Sequence, residues 1–207
     1  MFNSKKNDAM NSNEIVKCLL EGGVALVPTD TVYGLAASPL FPKAVSRIFE
    51  LKARPQTHNL PIMVASVEQM EAMGLDLNPT VKKILASKYV PGDITIVLGF
   101  KEDPSVFWLK GRDEVAVRIP NDAKLLEILE KTGPLLVTSA NKHGVPSTPT
   151  VVPEILAQLA GAPDGVMDGG VVENVPSTIV NCRAHPPIIE RNGRINYDDL
   201  FNLLNNE

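Results

Sequence analysis

ALVPTDTVYGLAA, residues 25 to 37, sets two apolar runs on either side of three small polar residues. The first run, Val24 to Val27, reads as a buried strand, and Pro28 ends it because proline has no N–H to give to a sheet ladder. Thr29, Asp30 and Thr31 follow at the strand's end. A second apolar stretch, Val32 to Ala37, starts at once, with Gly34 leaving room beside the backbone. Two strands joined by so short a corner run antiparallel. A polar corner between apolar strands costs burial, which suits the wall of a site. An ordinary turn with capping hydroxyls fits the same residues, with Asp30 as a local structural acceptor.

Working outward, Asn11-Ser12-Asn13 caps a helix that runs to Glu21 and stops at Gly22-Gly23. Ile15, Val16, Leu19 and Leu20 give it one apolar face. Pro42 suits the first turn of a helix to about Leu51. Further helices are expected from Ser66 to Met73, from Asn78-Pro79 to about Tyr89, from Asp122 to Lys131, from a Thr150 cap through Leu159, and over Asn196 to Leu204. Strands are expected over Pro61–Ala65, Ile94–Phe100, Val115–Ile119, Leu135–Thr138, Gly165–Asp168, Ser177–Asn181 and Ile188–Arg191. Glu102 to Arg112 reads as an irregular hairpin carrying Trp108. Strands and helices interleave, so the fold class is α/β: one domain with a twisted, mixed parallel and antiparallel sheet and flanking helices. Residues 1–12 read as a polar lead-in and 13–207 as the domain.

The bulk numbers agree. The 207 residues are 44% hydrophobic and 21% charged, which is enough for one full core. A net charge of −4 argues against a surface that coats polyanions, but leaves room for a local basic pocket. The two cysteines, Cys18 and Cys182, form no CxxC pattern, so neither a disulfide framework nor a zinc site is expected. No apolar run reaches the ~20 residues that span a bilayer, and the N-terminus lacks the apolar core of a signal peptide. A cytoplasmic, membrane-free protein is expected.

Polar residues collect at strand ends in five places: Thr29–Thr31, Lys52–Asn59, Arg118, Ser139–Ser147 and Arg191–Arg194. Open α/β sheets bind ligands at such edges. The chemistry on offer is fixed cations (Lys52, Arg54, Arg118, Arg191, Arg194) and short hydroxyls (Thr29, Thr31, Ser139, Ser147, Ser177, Thr178), which suits phosphate or carboxylate groups. Each has a plainer reading. Lys52 and Arg54 follow a helix and complement its C-terminal dipole. Arg118, ending the strand VAVR, fits a structural ion pair, and Ser139-Ala140-Asn141 a simple turn. Asp168 with Gly169-Gly170 reads as a tight turn, Trp108 as packing, and Met63, Met70 and Met73 as core filler. No Ser-His-Asp spacing, histidine metal pattern, GxxxxGK[ST] or GxGxxG occurs.

Taken together, eight blocks resemble the YrdC/Sua5 family, the threonylcarbamoyl-AMP synthases, in its single-domain form. They are PTDTVYGL (28–35), KARP (52–55), PGDIT (91–95), VAVRIP (115–120), TSANKHGVPS (138–147), DGG (168–170), STIVN (177–181) and ERNG (190–193), all in the family's order. The resemblance implies a basic concave cleft. It also implies a nucleotidyltransferase that makes threonylcarbamoyl-AMP and pyrophosphate from L-threonine, bicarbonate and ATP with Mg²⁺. The adenylate would pass to a tRNA threonylcarbamoyl-transferase complex for t⁶A at position 37. By the same resemblance, Lys52 and Arg54 are the catalytic cations that meet the ATP phosphates. His58, Ser139, Asn141, Ser147 and Arg191 contact the nucleotide, and Thr31, Arg118, Ser177 and Thr178 hold threonine. The Mg²⁺ ligands are not implied.

Three residues depart from the family pattern: Asp93 where PGP is common, His143 in place of a serine, and Asn181 in place of an aspartate. The reaction matches the residues at hand, because the nucleophile is already an anion and needs alignment and charge neutralisation rather than a protein base. Two other classes remain open. One is a module that binds double-stranded RNA or tRNA, against which the net charge weighs. The other is a non-catalytic, YciO-like paralogue.

Overall fold

Strand β1 (Ala25–Val27) ends before Pro28 and pairs antiparallel with β2 (Gly34–Ala37), Leu26 opposite Leu35. A computed structural model describes residues 9–55, 59–104, 106–142, 144–145 and 149–205. Local chemistry sets most element ends. Asn11 and Glu14 form a reciprocal capping box on α1 (Ser12–Leu20). Helix α2 (Pro42–Leu51) starts on proline. It is followed by β3 (Ile62–Met63), α3 (Val67–Ala72) and α4 (Pro79–Leu85), the last capped by the Asn78 side chain. Then come β4 (Ile94–Leu98), β5 (Val115–Arg118), and α5 (Ala123–Thr132) with Asp122 as its cap. Strand β6 (Leu135–Ser139), α6 (Val152–Gln158), β7 (Gly165–Val166), β8 (Thr178–Asn181), β9 (Ile188–Arg191) and α7 (Tyr197–Asn205) complete the chain.

The strands form one mixed sheet in the order β7-β1-β2-β6-β3-β5-β4-β8-β9. Pairs β1/β7, β3/β5 and β4/β8 are parallel; β1/β2, β2/β6, β3/β6, β4/β5 and β8/β9 are antiparallel. Several expectations are corrected. Among the described residues of 102–112 there is no hairpin; they hold a short 3-10 turn, Phe107–Leu109, that buries Leu109. The chain just past β4 is already paired elsewhere, with Asp76 N donating to Gly99 O and Lys101 N to Gly74 O. Helix α4 ends at Leu85 rather than near Tyr89. Thr150 caps nothing: Val151 stands at the N-cap of α6 with no side-chain bond, and the hydroxyl of Ser66 makes no cap bond to α3.

Side-chain alternation along the strands separates two faces. Leu26, Leu35, Leu136, Ile62, Val115, Val117, Ile94 and Ile96 point into one continuous core, shared with α2, α4, α6 and α7. Ala25, Val27, Ala36, Leu135, Val137 and Met63 point the other way, against Ile15 and Leu19 of α1 and Leu125, Ile128 and Leu129 of α5. Helices α1 and α5 pack on each other, and α1 lies against β1 and β7. Over β5, β4 and β8 the same face has no helical cover among the described residues. Ala116, Thr95, Val97 and Ile179 there line a cavity instead.

Two glycines of the recognisable blocks act through different physics. A Cβ on Gly193 would lie 2.5 Å from the Ser177 carbonyl carbon, so the turn after β9 can close on residues 176–177 only without a side chain. Gly170 has open space around it but a φ of +74°, which taxes any L side chain. Gly193→Ala is expected to lower the unfolding free energy by about 2 kcal/mol or more and Gly170→Ala by about 1 kcal/mol. Denaturant unfolding of the two variants checks this order.

Candidate functional site

The corner between β1 and β2 is organised by its own hydroxyls. Thr29 Oγ1 accepts from Thr31 N at 3.1 Å and Val32 N at 3.2 Å and donates to Val32 O at 2.7 Å. Tyr33, fully buried, accepts from Gly169 N at 2.9 Å through its hydroxyl and donates to Gly170 O at 2.8 Å. Gly169 rests on the Pro28 ring, where a Cβ would come within 2.7 Å. The Asp168-Gly169-Gly170 segment is therefore a tight turn pinned to the corner, with Asp168 Oδ1 accepting from Gly170 N at 2.8 Å.

Arg118 closes β5 in the buried position that VAVR implies. Its Nε donates to Gly92 O at 2.7 Å and its Nη1 to Thr31 Oγ1 at 2.8 Å. Its Nη2 reaches both carboxylate oxygens of Asp30 at 2.8 Å. The two side chains are 4% and 8% exposed. Burial pulls the guanidinium's pKa down, and the Asp30 carboxylate works against that pull. Asp30 is thus more than a local acceptor: it is the counter-ion of Arg118. The second hydrogen on Nη1 stays available beyond the Thr31 contact, and Arg118 lines the cavity.

The second cationic group splits in two. Lys52, at the C-cap of α2, is 3% exposed; its Nζ donates to Ser139 O and, at 3.2 Å, to Asn141 Oδ1. Burial, and after it the charge of Arg54, lowers its pKa to about 8. Lys52 stands behind the cavity wall, whereas Arg54 lines it, with a buried Nε that has no partner among the described residues. What turns the two apart is Ala53. Its φ of +49° closes a Schellman-type end, with Ala53 N on Glu50 O and Arg54 N on Phe49 O.

Ser139 lines the cavity and donates through Oγ to Asn141 Oδ1 at 2.7 Å; Asn141 is behind it, bonded onward to Val145 O. Ser177 and Arg191 line the cavity together, Arg191 Nη2 donating to Ser177 O at 2.8 Å. Thr178 does not: it is fully buried, and its hydroxyl donates to Ile195 O at 2.7 Å. Its place on the first core's side of β8 follows from strand alternation, which gives Ser177 and Ile179 to the cavity instead. His58, Ser147 and His143 lie outside the described residues. Of the other departures, Asp93 accepts from Arg194 at 3.1 Å, and Asn181 donates to Glu190 at 2.6 Å.

The cavity measures about 710 Å³, the size of small-molecule and cofactor sites. Its floor is the uncovered sheet face, and its polar walls are Thr31, Arg118 and Ser177 on one side and Arg54, Ser139 and Arg191 on others. A β-bulge between Ile179 and Val180 lets both Glu190 and Arg191 face it. Glu114 and Glu190, the lining carboxylates, are engaged by Arg183 and Asn181. Two contributors were given no role in the cleft from sequence. Thr95, whose hydroxyl lies 2.7 Å from that of Ser177, is betrayed only by being the polar residue in a β-branched strand. Asp30 carries no local signal for a partner 88 residues away.

Fold and site define an α/β protein whose mixed sheet carries, on its uncovered face, a cleft lined by Arg54, Arg118 and Arg191. The Sua5/YciO/YrdC family model, described as "Telomere recombination", matches residues 17–193. A threonylcarbamoyl-AMP synthase of Pyrococcus abyssi is 36% identical over 188 residues, covering 89% of this chain and 54% of its own. One from Bacillus subtilis is 34% identical over 190 residues, covering 88% and 53%. The crystal structure of P. abyssi Sua5 complexed with L-threonine superposes with a TM-score of 0.82 at 32% identity, over 94% of this chain and 57% of that one. The chain belongs to the Sua5/YciO/YrdC family, and it spans about half the length of these relatives.

Two consequences are measurable. Removing one member of a buried ion pair strands the other. Asp30→Ala is therefore expected to cost about 3 kcal/mol, and Asp30→Ala with Arg118→Ala less than the sum of the single changes, as a double-mutant unfolding cycle reads directly. Lys52 titrates lower folded (about 8) than unfolded, so its burial penalty is fully present below pH 8 and fades as pH rises towards the ordinary lysine value of 10.5. The stability of the wild type relative to Lys52→Met should therefore rise by about 2–3 kcal/mol between pH 8 and 10.5.

Proposed function

We propose that the chain is an L-threonylcarbamoyladenylate synthase, a nucleotidyltransferase that converts L-threonine, bicarbonate and ATP into threonylcarbamoyl-AMP and pyrophosphate. The observation that carries this reading is a single cavity with two unlike anion sites. A buried arginine flanked by hydroxyls, Arg118 with Thr31 and Ser177, suits an amino-acid carboxylate. The arginines Arg54 and Arg191 suit a polyphosphate. The family membership and the threonine carried by the P. abyssi relative support the same assignment.

In the proposed reaction, the neutral amine of threonine attacks the carbon of bicarbonate; the C–N bond forms, a C–O bond breaks and water leaves, which gives the carbamate. A carbamate oxygen attacks the α-phosphorus of ATP, the bond to the β-phosphate bridge oxygen breaks, and pyrophosphate leaves with that electron pair. The nucleophile is already anionic, so the chain's task is alignment and charge neutralisation. Arg54 and Arg191 would meet the phosphates, and Lys52 would hold Ser139 and Asn141 in place while adding charge from behind. The apolar floor of Val97, Ala116 and Ile179 keeps water from a labile carbamate. Mg²⁺ is proposed to enter on the nucleotide as part of the substrate, held by phosphate oxygens and retained waters. Among the described residues, no cluster of three His, Cys, Asp or Glu side chains forms a metal cage.

The product would pass to a tRNA threonylcarbamoyl-transferase complex for t⁶A37. A cytoplasmic location fits the free Cys18 and Cys182, and among the described residues no helix is long and apolar enough to cross a membrane.

Pyrophosphate release is expected only when ATP, threonine, bicarbonate and Mg²⁺ are all supplied, and Arg54→Gln should raise the KM for ATP about tenfold. Release that ignores threonine sinks the assignment. Absence of turnover with a folded protein favours a YciO-like paralogue, and tight, salt-sensitive RNA binding without substrates favours the RNA-binding module.

A further inference from the structure

Arg194 lies in the turn between β9 and α7, away from the cavity lining, yet it touches three segments at the cavity's amino-acid end: the Asp93 turn, the Asp30 corner and the 173–177 stretch. Its Nη1 donates to Asp93 at 3.1 Å, in the turn whose Gly92 carbonyl holds Arg118. Its Nη2 donates to the backbone oxygen of Asp30 at 2.5 Å and to the Glu173 carboxylate. Its own backbone N donates to Pro176 O at 3.1 Å. Gly193, just before it, has no room for a side chain against Pro176 and Ser177. The two arginines therefore grip residue 30 from both sides, Arg118 by its carboxylate and Arg194 by its carbonyl.

Besides Arg194, the middle of the segment it ties down is held at Val172, whose N donates to Thr150 O at 3.1 Å and whose side chain packs on the first core. Residues 169–175 are largely exposed, with Val171 at 77%. The segment is anchored at its start by Tyr33 and at its end by Ser177, which lines the cavity. Glu173 is the one carboxylate in it, and it meets Arg194. The Asp93 carboxylate gives Arg194 its anchor on the turn before β4.

We propose that Arg194 is a positioning residue for the amino-acid end of the cleft, clasping the 173–177 segment to the Asp30 corner so that Thr31, Arg118 and Ser177 meet one substrate in one arrangement. This rests on the reading of that end as the threonine site. Arg194 touches no substrate; it acts through Asp30 and Pro176. The clasp therefore affects threonine recognition first; at the nucleotide end, Arg54 on α2 and Ser139 on β6 make no contact with it, and only Arg191 of β9 adjoins it through Ser177.

The test compares wild type with Arg194→Gln, Arg194→Lys and Glu173→Gln in the full chain. Arg194→Gln should raise the KM for threonine about tenfold, with the KM for ATP and kcat within about twofold. Arg194→Lys, which keeps the charge but cannot reach three acceptors at once, should fall between. Glu173→Gln, a change on an exposed side chain, should raise the threonine KM about threefold. A parallel rise in both KM values, or no rise in either, overturns the proposal. Amide hydrogen exchange over residues 171–177, without substrates, is read alongside and should quicken in Arg194→Gln and Glu173→Gln. Should the wild type release no pyrophosphate, the synthase reading fails and exchange alone decides the clasp: unchanged protection in both variants overturns it.

Discussion

A guanidinium withdrawn from water must be met by anions and acceptors, and the buried charge of Arg118 sets this requirement for its whole end of the cleft. The chain meets it from places distant in sequence: both oxygens of Asp30, the hydroxyl of Thr31 and the carbonyl of Gly92. Satisfying one side chain thus draws together the β1–β2 corner, the turn before β4 and the end of β5. Arg194 repeats the device from the outer side, engaging the carbonyl of the same Asp30 and the neighbouring Asp93. The net charge of −4 hides this local arrangement, because the cations are spent on named partners rather than spread over a surface.

The sheet supplies the other constraint. Helices α1 and α5 cover one half of its second face, and among the described residues no helix covers the half over β5, β4 and β8. Apolar side chains such as Val97 and Ile179 are left without helical partners. Covering that face again, as a ligand does, recovers about 25 cal/mol for each Å² of apolar surface removed from water. Lys52 carries the opposite cost: a buried ammonium whose pKa burial has lowered to about 8, answered by a carbonyl and an amide oxygen rather than a carboxylate. Such perturbed groups collect where function needs them. The left-handed Ala53 beside it is of the same kind, a small local strain that aims Lys52 behind the wall and Arg54 into the cavity.

The amino-acid sequence by itself determined the elements wherever a local rule fixes them. Asn11, Asn78 and Asp122 cap their helices, Pro42 opens one, Pro28 ends β1, and the short corner makes β1 and β2 antiparallel. Its place at the end of the apolar strand VAVR marked Arg118 as a residue in need of a partner, and the block order carried the family. Where local signals were weak, tertiary pairing decided: the described residues of 102–112 found no strand neighbour, and α6 began without the Thr150 cap. The roles of individual site residues belonged to the tertiary structure even more. Only the fold put Asp30 against a partner 88 residues away and Arg194 against the same residue from 164 residues away. Only the pleat turned Thr178 towards Ile195 and Ser177 towards the cavity. Caps, breaks and periodicities act within a few residues and are therefore written in the sequence. The partner of a buried charge is fixed by which distant segments the closed sheet brings within hydrogen-bonding reach.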